Sequence, residues 1–451
     1  MAERPTIFAL STAAGRAAVA VVRVSGPRAA SALTALTGRP LPPARMATRA
    51  QLRDSMTSTV LDEALVLWFP APRSFTGEDM AELHLHGGRA VVTGIIAALG
   101  RQPGFRLAEA GEFTRRAFDA GKLDLAEVEG LADLIAAETE AQRRQALRQL
   151  AGELGQLTEA WRERLVRALA HAEAEIDFPD EDLPGGLMAA LKPVLDGLIG
   201  EIRRQLDDEH RGERLRDGVS IAIIGPPNAG KSSLLNRLAR REAAIVSATA
   251  GTTRDVIEVQ LDLGGYPVIV ADTAGLRDLQ GTPSPHDEIE REGMRRALAR
   301  AEAADLKILV LDASQPEVDP AVHRLVDRDT LVVANKIDIA AGRMPRLDGP
   351  SAYNVSAKTG AGLDAFVAAL QAEVAARLAT ADTAAPIITR ARHREALREC
   401  GAALERARGG AAAELIAEDV RLAARALGRI TGRVGVEDVL DVIFREFCIG
   451  K

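Results

Sequence analysis

Cysteine is almost missing. In 451 residues the thiols are Cys400 and Cys448, too few for a disulfide framework. Long apolar runs are missing too: no stretch reaches about 18 residues, so no membrane-spanning helix is expected. The N-terminus, Met1-Ala2-Glu3-Arg4-Pro5, has neither the basic start nor the apolar core of a signal peptide, and the expected compartment is cytoplasmic. There is no excess of positive charge. A net charge of −7 argues against the whole surface being a nucleic-acid platform and leaves room only for a local patch. Lysine is scarce, 7 residues against 50 arginines. Arginine and lysine differ in shape and hydration, so a retained lysine hints that arginine will not serve there. Lys122, Lys231, Lys336, Lys358 and Lys451 lie in motifs described below, whereas Lys192 and Lys307 lie in none.

What is present suits a globular chain of about three domains, 47% hydrophobic and 27% charged. One stretch organises the rest. Gly225-Pro226-Pro227-Asn228-Ala229-Gly230-Lys231-Ser232 fits Gly-x4-Gly-Lys-[Ser/Thr], between an apolar run, Val219 to Ile224, and the start of a helix, Ser233 to Leu238. Glycines let backbone N–H groups close around phosphates, and the helix N-terminus adds partial positive charge. Lys231 is expected to reach the β- and γ-phosphates and Ser232 to bind Mg²⁺. Asp272-Thr273-Ala274-Gly275 follows the run Val268 to Ala271. The Asp suits the Mg²⁺ shell, and the Gly allows a backbone N–H to meet the γ-phosphate. Asn335-Lys336-Ile337-Asp338 follows Leu331 to Ala334, and its Asp338 carboxylate can accept from the N1–H and N2–H₂ edge of guanine, which adenine lacks. Ser356-Ala357-Lys358 suits a guanine O6 contact through backbone N–H. Four motifs in this order, each just after a strand, resemble a GTPase, an α/β doubly wound domain with its ligand at the carboxyl ends of the strands.

In chain order, residues 1–123 mix strands and helices, with strands at Ile7 to Leu10, Val19 to Val24, Ala64 to Trp68 and Glu82 to Leu85. Ser74 to Asp79 reads as a turn-rich loop, and Glu109 to Phe118 as a loop entering a helix. His84 and His86 can bind metal as a pair, but no third ligand sits at a suitable spacing, so the reading is structural. Residues 124–216 read as helical, interrupted at Asp177-Phe178-Pro179 and Leu183-Pro184-Gly185-Gly186. The GTPase segment is 217–380, and helix resumes over 381–451. Arginines at 390, 392, 394 and 398 could face RNA phosphate or form a solvated face. The simplest topology is a helical domain split by an inserted GTPase domain.

The final run, Ile443-Phe444-Arg445-Glu446-Phe447-Cys448-Ile449-Gly450-Lys451, resembles the Phe-Cys-Ile-Gly-Lys ending of the MnmE (TrmE) family of tRNA modification GTPases. Gly251-Thr252-Thr253-Arg254-Asp255 resembles that family's first switch. Phe75-Thr76-Gly77-Glu78-Asp79, Gly111-Glu112-Phe113-Thr114 and Gly121-Lys122-Leu123-Asp124-Leu125 resemble its N-terminal domain, so the likeness spans the chain. It implies an N-terminal α+β domain that binds tetrahydrofolate and dimerises, a two-part helical domain and an inserted Ras-like P-loop GTPase domain. It implies a homodimer working with an FAD-dependent partner of the MnmG (GidA) type, as a heterotetramer, on tRNA. The product would be a 5-carboxymethylaminomethyl or aminomethyl wobble uridine, with 5-formyl- or methylene-tetrahydrofolate as carbon source.

The resemblance maps a folate site onto Arg23, Glu82, Lys122 and Lys451. It implies K⁺ held by the Asn228 side chain and the backbone at Ser247, Thr249 and Thr252, doing the work an arginine finger does elsewhere. Thr253 would join Ser232 on Mg²⁺; Ala229, Gly230 and Ser233 would complete the phosphate loop. The second switch is longer than the family's, with Leu279 to His286 inserted. Matching the acidic run beyond it puts the water-orienting glutamate at Glu290, with Glu288 or Glu292 as a solvated face. The family's Thr-Pro-Pro-Gly is Thr12-Ala13-Ala14-Gly15 here, a looser turn. Cys448 would lie near substrate, as a catalytic thiol or a small buried filler. A ribosome-assembly GTPase switch is the alternative reading, which the nucleotide motifs alone do not separate.

Overall fold

The computed structural model describes residues 4–177, 187–241, 244–245, 257–272, 302–315, 326–342, 345, 351–378, 387–410, 412–434, 440, 443–444, 447 and 449–450. The chain divides into two compact units. The first comprises residues 1–132, 149–196 and 402–451; the second comprises 133–148 and 197–401.

The first unit begins with a six-stranded sheet built from β1 (Thr6–Leu10), β2 (Val19–Ser25), β3 (Thr48–Arg53), β4 (Val60–Phe69), β5 (Met80–His86) and β6 (Phe105–Leu107). Its order is β3-β4-β5-β2-β1-β6, antiparallel except for the β1–β6 pair. Alternation sets the two faces. Val22 and Val24 of β2, Leu83 and Leu85 of β5 and Val66 of β4 face α1 (Ala29–Thr37) and α2 (Arg89–Gly100), whose Leu33, Leu36, Ile95 and Leu99 complete that core. On the other face, Ile7 and Ala9 are covered by Phe113 of α3 (Glu112–Asp119) and by Phe75. Farther across that face Val19, Val60 and Leu65 are exposed.

The residues of α4 (Leu125–Ala136) and α5 (Glu140–Leu150) divide between the two units; in the first, two long helices then pair, α6 (Glu153–Asp177) and, much later, α12 (Ala413–Ile430). Leu154, Thr158, Trp161, Leu165 and Ala168 are buried on α6, and Ile416, Val420, Ala423, Leu427 and Ile430 on α12. Each set steps by four and three residues, the seam that lets two helices pack along their length.

The second unit is organised by a seven-stranded sheet of order β13-β12-β11-β7-β10-β9-β8. Its strands are β7 (Val219–Ile224), β8 (Ala244–Ile245), β9 (Ile257–Leu263), β10 (Tyr266–Asp272), β11 (Leu306–Asp312), β12 (Thr330–Asn335) and β13 (Tyr353–Asn354). β10, β7, β11, β12 and β13 run parallel, and β9 and β8 add an antiparallel edge. The central strands are apolar on both faces, as a covered parallel sheet requires. Ile221, Ile223, Val268 and Ile308 meet Leu234, Leu235 and Leu238 of α9 (Lys231–Arg241) and Phe366, Leu370 and Val374 of α10 (Leu363–Leu378), while Ala222, Ile224, Leu309 and Leu311 form a second layer opposite. Each of those α9 leucines contributes roughly 1.5–3 kcal/mol by leaving water.

α7 (Leu187–Leu206), α8 (Arg211–Asp217) and α11 (Ala391–Gly409) supply the remaining helices described. Within the second unit α8 is gripped from three directions. Gln142 Nε2 and Gln145 Nε2 donate to the Arg216 and Gly212 carbonyls, Arg214 pairs with Asp305, and Arg394 binds Glu213. Arg394 also reaches the Leu206 carbonyl and Asp208 and is buried, and Arg390 bonds Asp133. These two arginines are therefore ion-pair struts, neither a phosphate-facing patch nor a solvated face; Arg398 is exposed.

Candidate functional site

The loop from Gly225 to Gly230 leaves β7 and enters α9 at the centre of the second sheet, where strand order turns outward on both sides. A Cβ on Gly225, at φ +138°, would lie 2.2 Å from the Val310 carbonyl oxygen, so only glycine fits. Asn228 adopts φ 59°, a left-handed conformation that asparagine tolerates better than most residues. Pro227, Asn228, Gly230, Lys231, Ser232, Ser233 and Lys336 line an open hollow of about 570 Å³. Lys231 is buried, and its Nζ donates to the Gly225 and Pro226 carbonyls at 2.9 Å each. Ser232 and Ser233 are exposed at the start of α9.

Asn335 holds this loop from behind. Its side chain is buried; Nδ2 donates to the Ala229 carbonyl at 2.8 Å and Oδ1 accepts from the Ala357 N–H at 2.9 Å. One amide thus ties the phosphate loop to the Ser356-Ala357-Lys358 loop. Beside it, Ser356 Oγ donates to Asp338 Oδ1 at 2.6 Å, and Asp338 is exposed, as is Lys358. Lys336, at φ 66°, donates to Asp312 Oδ2 at 2.8 Å. Burial opposes ionisation of Asp312, but hydrogen bonds from Lys336 and Ser314 outweigh it and hold the carboxyl below its ordinary value. Asp312 is a site residue that the sequence reading missed; its signal was available, an Asp at the end of an apolar run between two recognised motifs.

Asp272 ends β10 in register with Ile223 of β7. The structure therefore gathers the Asp272 backbone, the phosphate loop, Asn335 to Asp338 and Ser356 to Lys358 at one edge of one sheet. Ser247, Thr249, Thr252, Thr253, Thr273, Ala274, Gly275 and Glu290 lie outside the described residues.

In the first unit, Arg23 and Glu82 are direct cross-strand partners, with Arg23 Nε and Nη2 donating to Glu82 Oε1 at 3.1 and 3.0 Å. The guanidinium lies 5.4 Å from the Phe75 ring centroid and 5.7 Å from that of Phe113. Those two rings carried motif likeness in the sequence but no assigned role. His84 Nε2 meets Glu82 Oε2 at 3.3 Å and His86 Nδ1 meets Asp62 Oδ1 at 2.7 Å, so each histidine has a carboxylate partner. Among the described residues no cluster of three or more His, Cys, Asp or Glu side chains suits a metal ion.

Arg116 is almost fully buried and bonds Glu78, Glu112 and the Pro5 carbonyl. Glu78 in turn accepts from Ser25 Oγ on β2, two residues beyond Arg23. Gly77, where a Cβ would lie 3.4 Å from Lys122 Cε, brings the Lys122 segment beside this loop. Glu112 is held below its ordinary value of 4.5: burial opposes ionisation, but Arg106, the Glu109 N–H and Arg116 together prevail.

The C-terminal segment docks on the same unit. Phe444 and Phe447 pack with Leu125, Val128 and Phe118. Ile449 then forms a β-bridge with Ala110, and Ser11 Oγ donates to the Gly450 carbonyl at 2.8 Å. Cys448 and Lys451 lie outside the described residues. The other cysteine, Cys400, is buried, and burial pushes its thiol up to about 12, so it is chemically inert. Among the described residues no helix is long and apolar enough to cross a membrane.

Two family models match the chain. That for the MnmE helical domain matches residues 125–448, and that for the GTP-binding protein TrmE N-terminus matches residues 6–122. Curated relatives match end to end. A tRNA modification GTPase MnmE of Parvibaculum lavamentivorans is 61% identical over 99% of this chain and 100% of the relative. Proteins of the same name from Paramagnetospirillum magneticum and Rhodospirillum rubrum are 58% and 57% identical, each over 99% of both chains.

Proposed function

The chain belongs to the MnmE family of tRNA modification GTPases, and from that premise we propose that its GTP hydrolysis is K⁺-dependent and drives modification at C5 of the tRNA wobble uridine. The enzyme is a GTP hydrolase and its fold combines α/β and helical domains. In the proposed reaction it acts as a cytoplasmic homodimer with an FAD-dependent partner of the MnmG type. Together they install a carboxymethylaminomethyl or aminomethyl group, with a tetrahydrofolate one-carbon unit as the carbon source.

The observation that carries the nucleotide half is the Asn335 amide, which fastens the loop for phosphates to the loop for the base. The residues suit a magnesium nucleotide. Gly225 and Gly230 keep the loop tighter than any Cβ would allow, and the hydroxyls of Ser232 and Ser233 and the ammonium groups of Lys231 and Lys336 rim the hollow. Ser232 and Thr253 would hold Mg²⁺, with Asp272 in its outer shell. Asn228 and the backbone at Ser247, Thr249 and Thr252 would hold K⁺. Bound there, the two cations would offset charge developing at the β–γ bridge. Lys231 would exchange the Gly225 and Pro226 carbonyls for phosphate oxygens. Asp338 would select guanine through its two N–H donors, and Glu290 would orient the attacking water.

The folate proposal is supported by the Arg23–Glu82 pair, its guanidinium over the Phe75 and Phe113 rings, which sets charged donors and acceptors together as a pterin's amide-like edge requires. Lys122 and Lys451 would meet the ligand's carboxylates. Dimerisation is supported by the open sheet face bearing Val19, Val60 and Leu65. The deciding experiment compares wobble-uridine nucleosides, by mass spectrometry, in tRNA from a deletion strain carrying this chain or an empty vector. Restored carboxymethylaminomethyl or aminomethyl uridine is expected; identical nucleoside profiles in the two strains refute the reading.

A further inference from the structure

We propose that the far end of α9 carries a docking point for an RNA backbone phosphate, formed by Arg237, Arg240 and Arg241 behind the guanine loop. The inference deepens the tRNA reading above and rests on it. The three guanidiniums occupy the last two turns of α9 and line, with Thr359, Gly360 and Leu363, an open hollow of about 410 Å³. Among the described residues this hollow shares no lining residue with the one at the phosphate loop.

The pieces are fixed to different degrees. Arg237 Nη2 donates to the Thr359 carbonyl at 3.2 Å, directly under Gly360, where a Cβ would lie 2.6 Å from the same nitrogen. Arg237 is therefore a pinned wall. Arg241 pairs with Asp364, whose side chain is 86% exposed, so solvent and salt weaken that pair. Arg240 is exposed at the mouth. Among the described residues, three guanidiniums share this hollow in a protein whose net charge is −7, a local concentration of positive charge.

The chemistry favours phosphate over a protein segment. Planar guanidinium forks match phosphate oxygens, two donors to two acceptors. A protein partner would need an anchor pocket, and protein hot spots draw on aromatic contacts. Among the described residues the lining contains no aromatic ring, and its apolar residue, Leu363, is buried in the core beneath. The hollow also adjoins Ser356 to Lys358 through Thr359 and Gly360, so a tRNA held there would touch the loop that contacts the base.

The test uses the full-length protein with GDP bound and fluorescently labelled total tRNA, with anisotropy read over a series of KCl concentrations. Wild type, Arg240→Ala, Arg240→Glu and Arg328→Ala are compared; Arg328 is a surface arginine of the same unit, 93% exposed and not among the residues lining the hollow. Arg240→Ala should weaken binding about three- to fivefold at low salt, and Arg240→Glu about tenfold or more. The slope of log affinity against log salt should shrink by about one for Arg240→Ala and remain at the wild-type value for Arg328→Ala. GDP affinity should not change. Equal tRNA binding by wild type and Arg240→Glu overturns the proposal, as does an equal slope change at Arg328. Failure of wild type to bind tRNA also overturns it. The modification reading is judged separately by nucleoside analysis, so the two can fail independently. A free phosphate site instead of an RNA site would show as competition by millimolar inorganic phosphate at constant ionic strength, and that result too counts against the proposal.

Discussion

Replacing Asn335 by Ala should damage nucleotide binding more than removal of one surface contact would. The side chain is 2% exposed and makes two bonds, to the Ala229 carbonyl at 2.8 Å and from the Ala357 N–H at 2.9 Å. Truncation strips a partner from each. An orphaned buried polar group costs about 1–3 kcal/mol, which for the pair sums to about 2–6 kcal/mol. The phosphate-loop hollow is open, so water can reach part of the gap and the lower end, about 2 kcal/mol, is the working value. If both loops must be in place to hold the nucleotide, that cost appears in affinity as about a 30-fold rise in Kd. Asn335→Asp separates hydrogen bonding from shape. Its carboxylate still accepts from Ala357 but turns an acceptor toward the Ala229 carbonyl, so the loss should be at least as large. Gly230→Ala should act through the same amide, because its Cβ would lie 2.2 Å from Asn335 Nδ2. The assay is titration with a fluorescent GDP analogue, with circular dichroism to show that each variant is folded. A Kd for Asn335→Ala within twofold of wild type would refute the strut argument.

Four further outcomes are expected. Asp338→Asn should lose GTP affinity and gain xanthosine triphosphate affinity, because the base must now accept where it donated; unchanged GTP binding removes Asp338 from base selection. GTP turnover should be much faster in KCl than in NaCl at equal ionic strength, and equal rates would sink the K⁺ site at Asn228. Deleting residues 448–451 should spare K⁺-dependent GTP hydrolysis and abolish wobble-uridine modification; loss of both activities in a folded protein would place the tail in the nucleotide machinery. Glu112, held below its ordinary 4.5, adds stability that is complete above that value and is lost as pH falls through its lower folded-state pKa. Glu112→Gln should therefore flatten the acid limb of N-terminal-domain unfolding below about pH 4.5, and an unchanged limb would show that the ion pairs with Arg106 and Arg116 add nothing net.

The nucleotide site was legible because its strands are buried on both faces and carry unbroken apolar runs. Val219 to Ile224 is β7 to the residue, and the runs before Asp272 and Asn335 fall inside β10 and β12. Elements without such runs were harder to see. β3, Thr-Arg-Ala-Gln-Leu-Arg, buries only Ala50 and Leu52, and β6 is three residues long. Residue roles set by distant partners were not legible at all. Asn335 reads as part of a base-recognition motif, yet its side chain is spent on Ala229 and Ala357, 106 and 22 residues away. Arg394 reads as one of a surface run, but Asp208 and Glu213, more than 180 residues earlier, draw it into the interior as an ion-pair strut.

The N-terminal unit shows the same rule from the side of the ligand. Strand alternation put Arg23, Glu82, His84 and His86 on one face of the sheet, and that much follows from the sequence pattern. What it does not contain is the pairing, Arg23 opposite Glu82, which needs the β2–β5 register, or the rings of Phe75 and Phe113, which arrive on a loop and on α3. Arg116 joins these parts. Through Glu78 and Ser25 it connects α3 to β2, and the turn that follows α3 carries Lys122. The tail reaches the same neighbourhood by a separate route, because the bridge from Ile449 to Ala110 and the Ser11–Gly450 bond fix its backbone at the end of β1, the strand beside β2. Three segments far apart in sequence, β2 with β5, α3 with its following loop, and the C-terminus, converge because each is tied to the one sheet. That convergence is why deleting residues 448–451 should separate the modification chemistry from the nucleotide site, which is built from other strands, in the other unit.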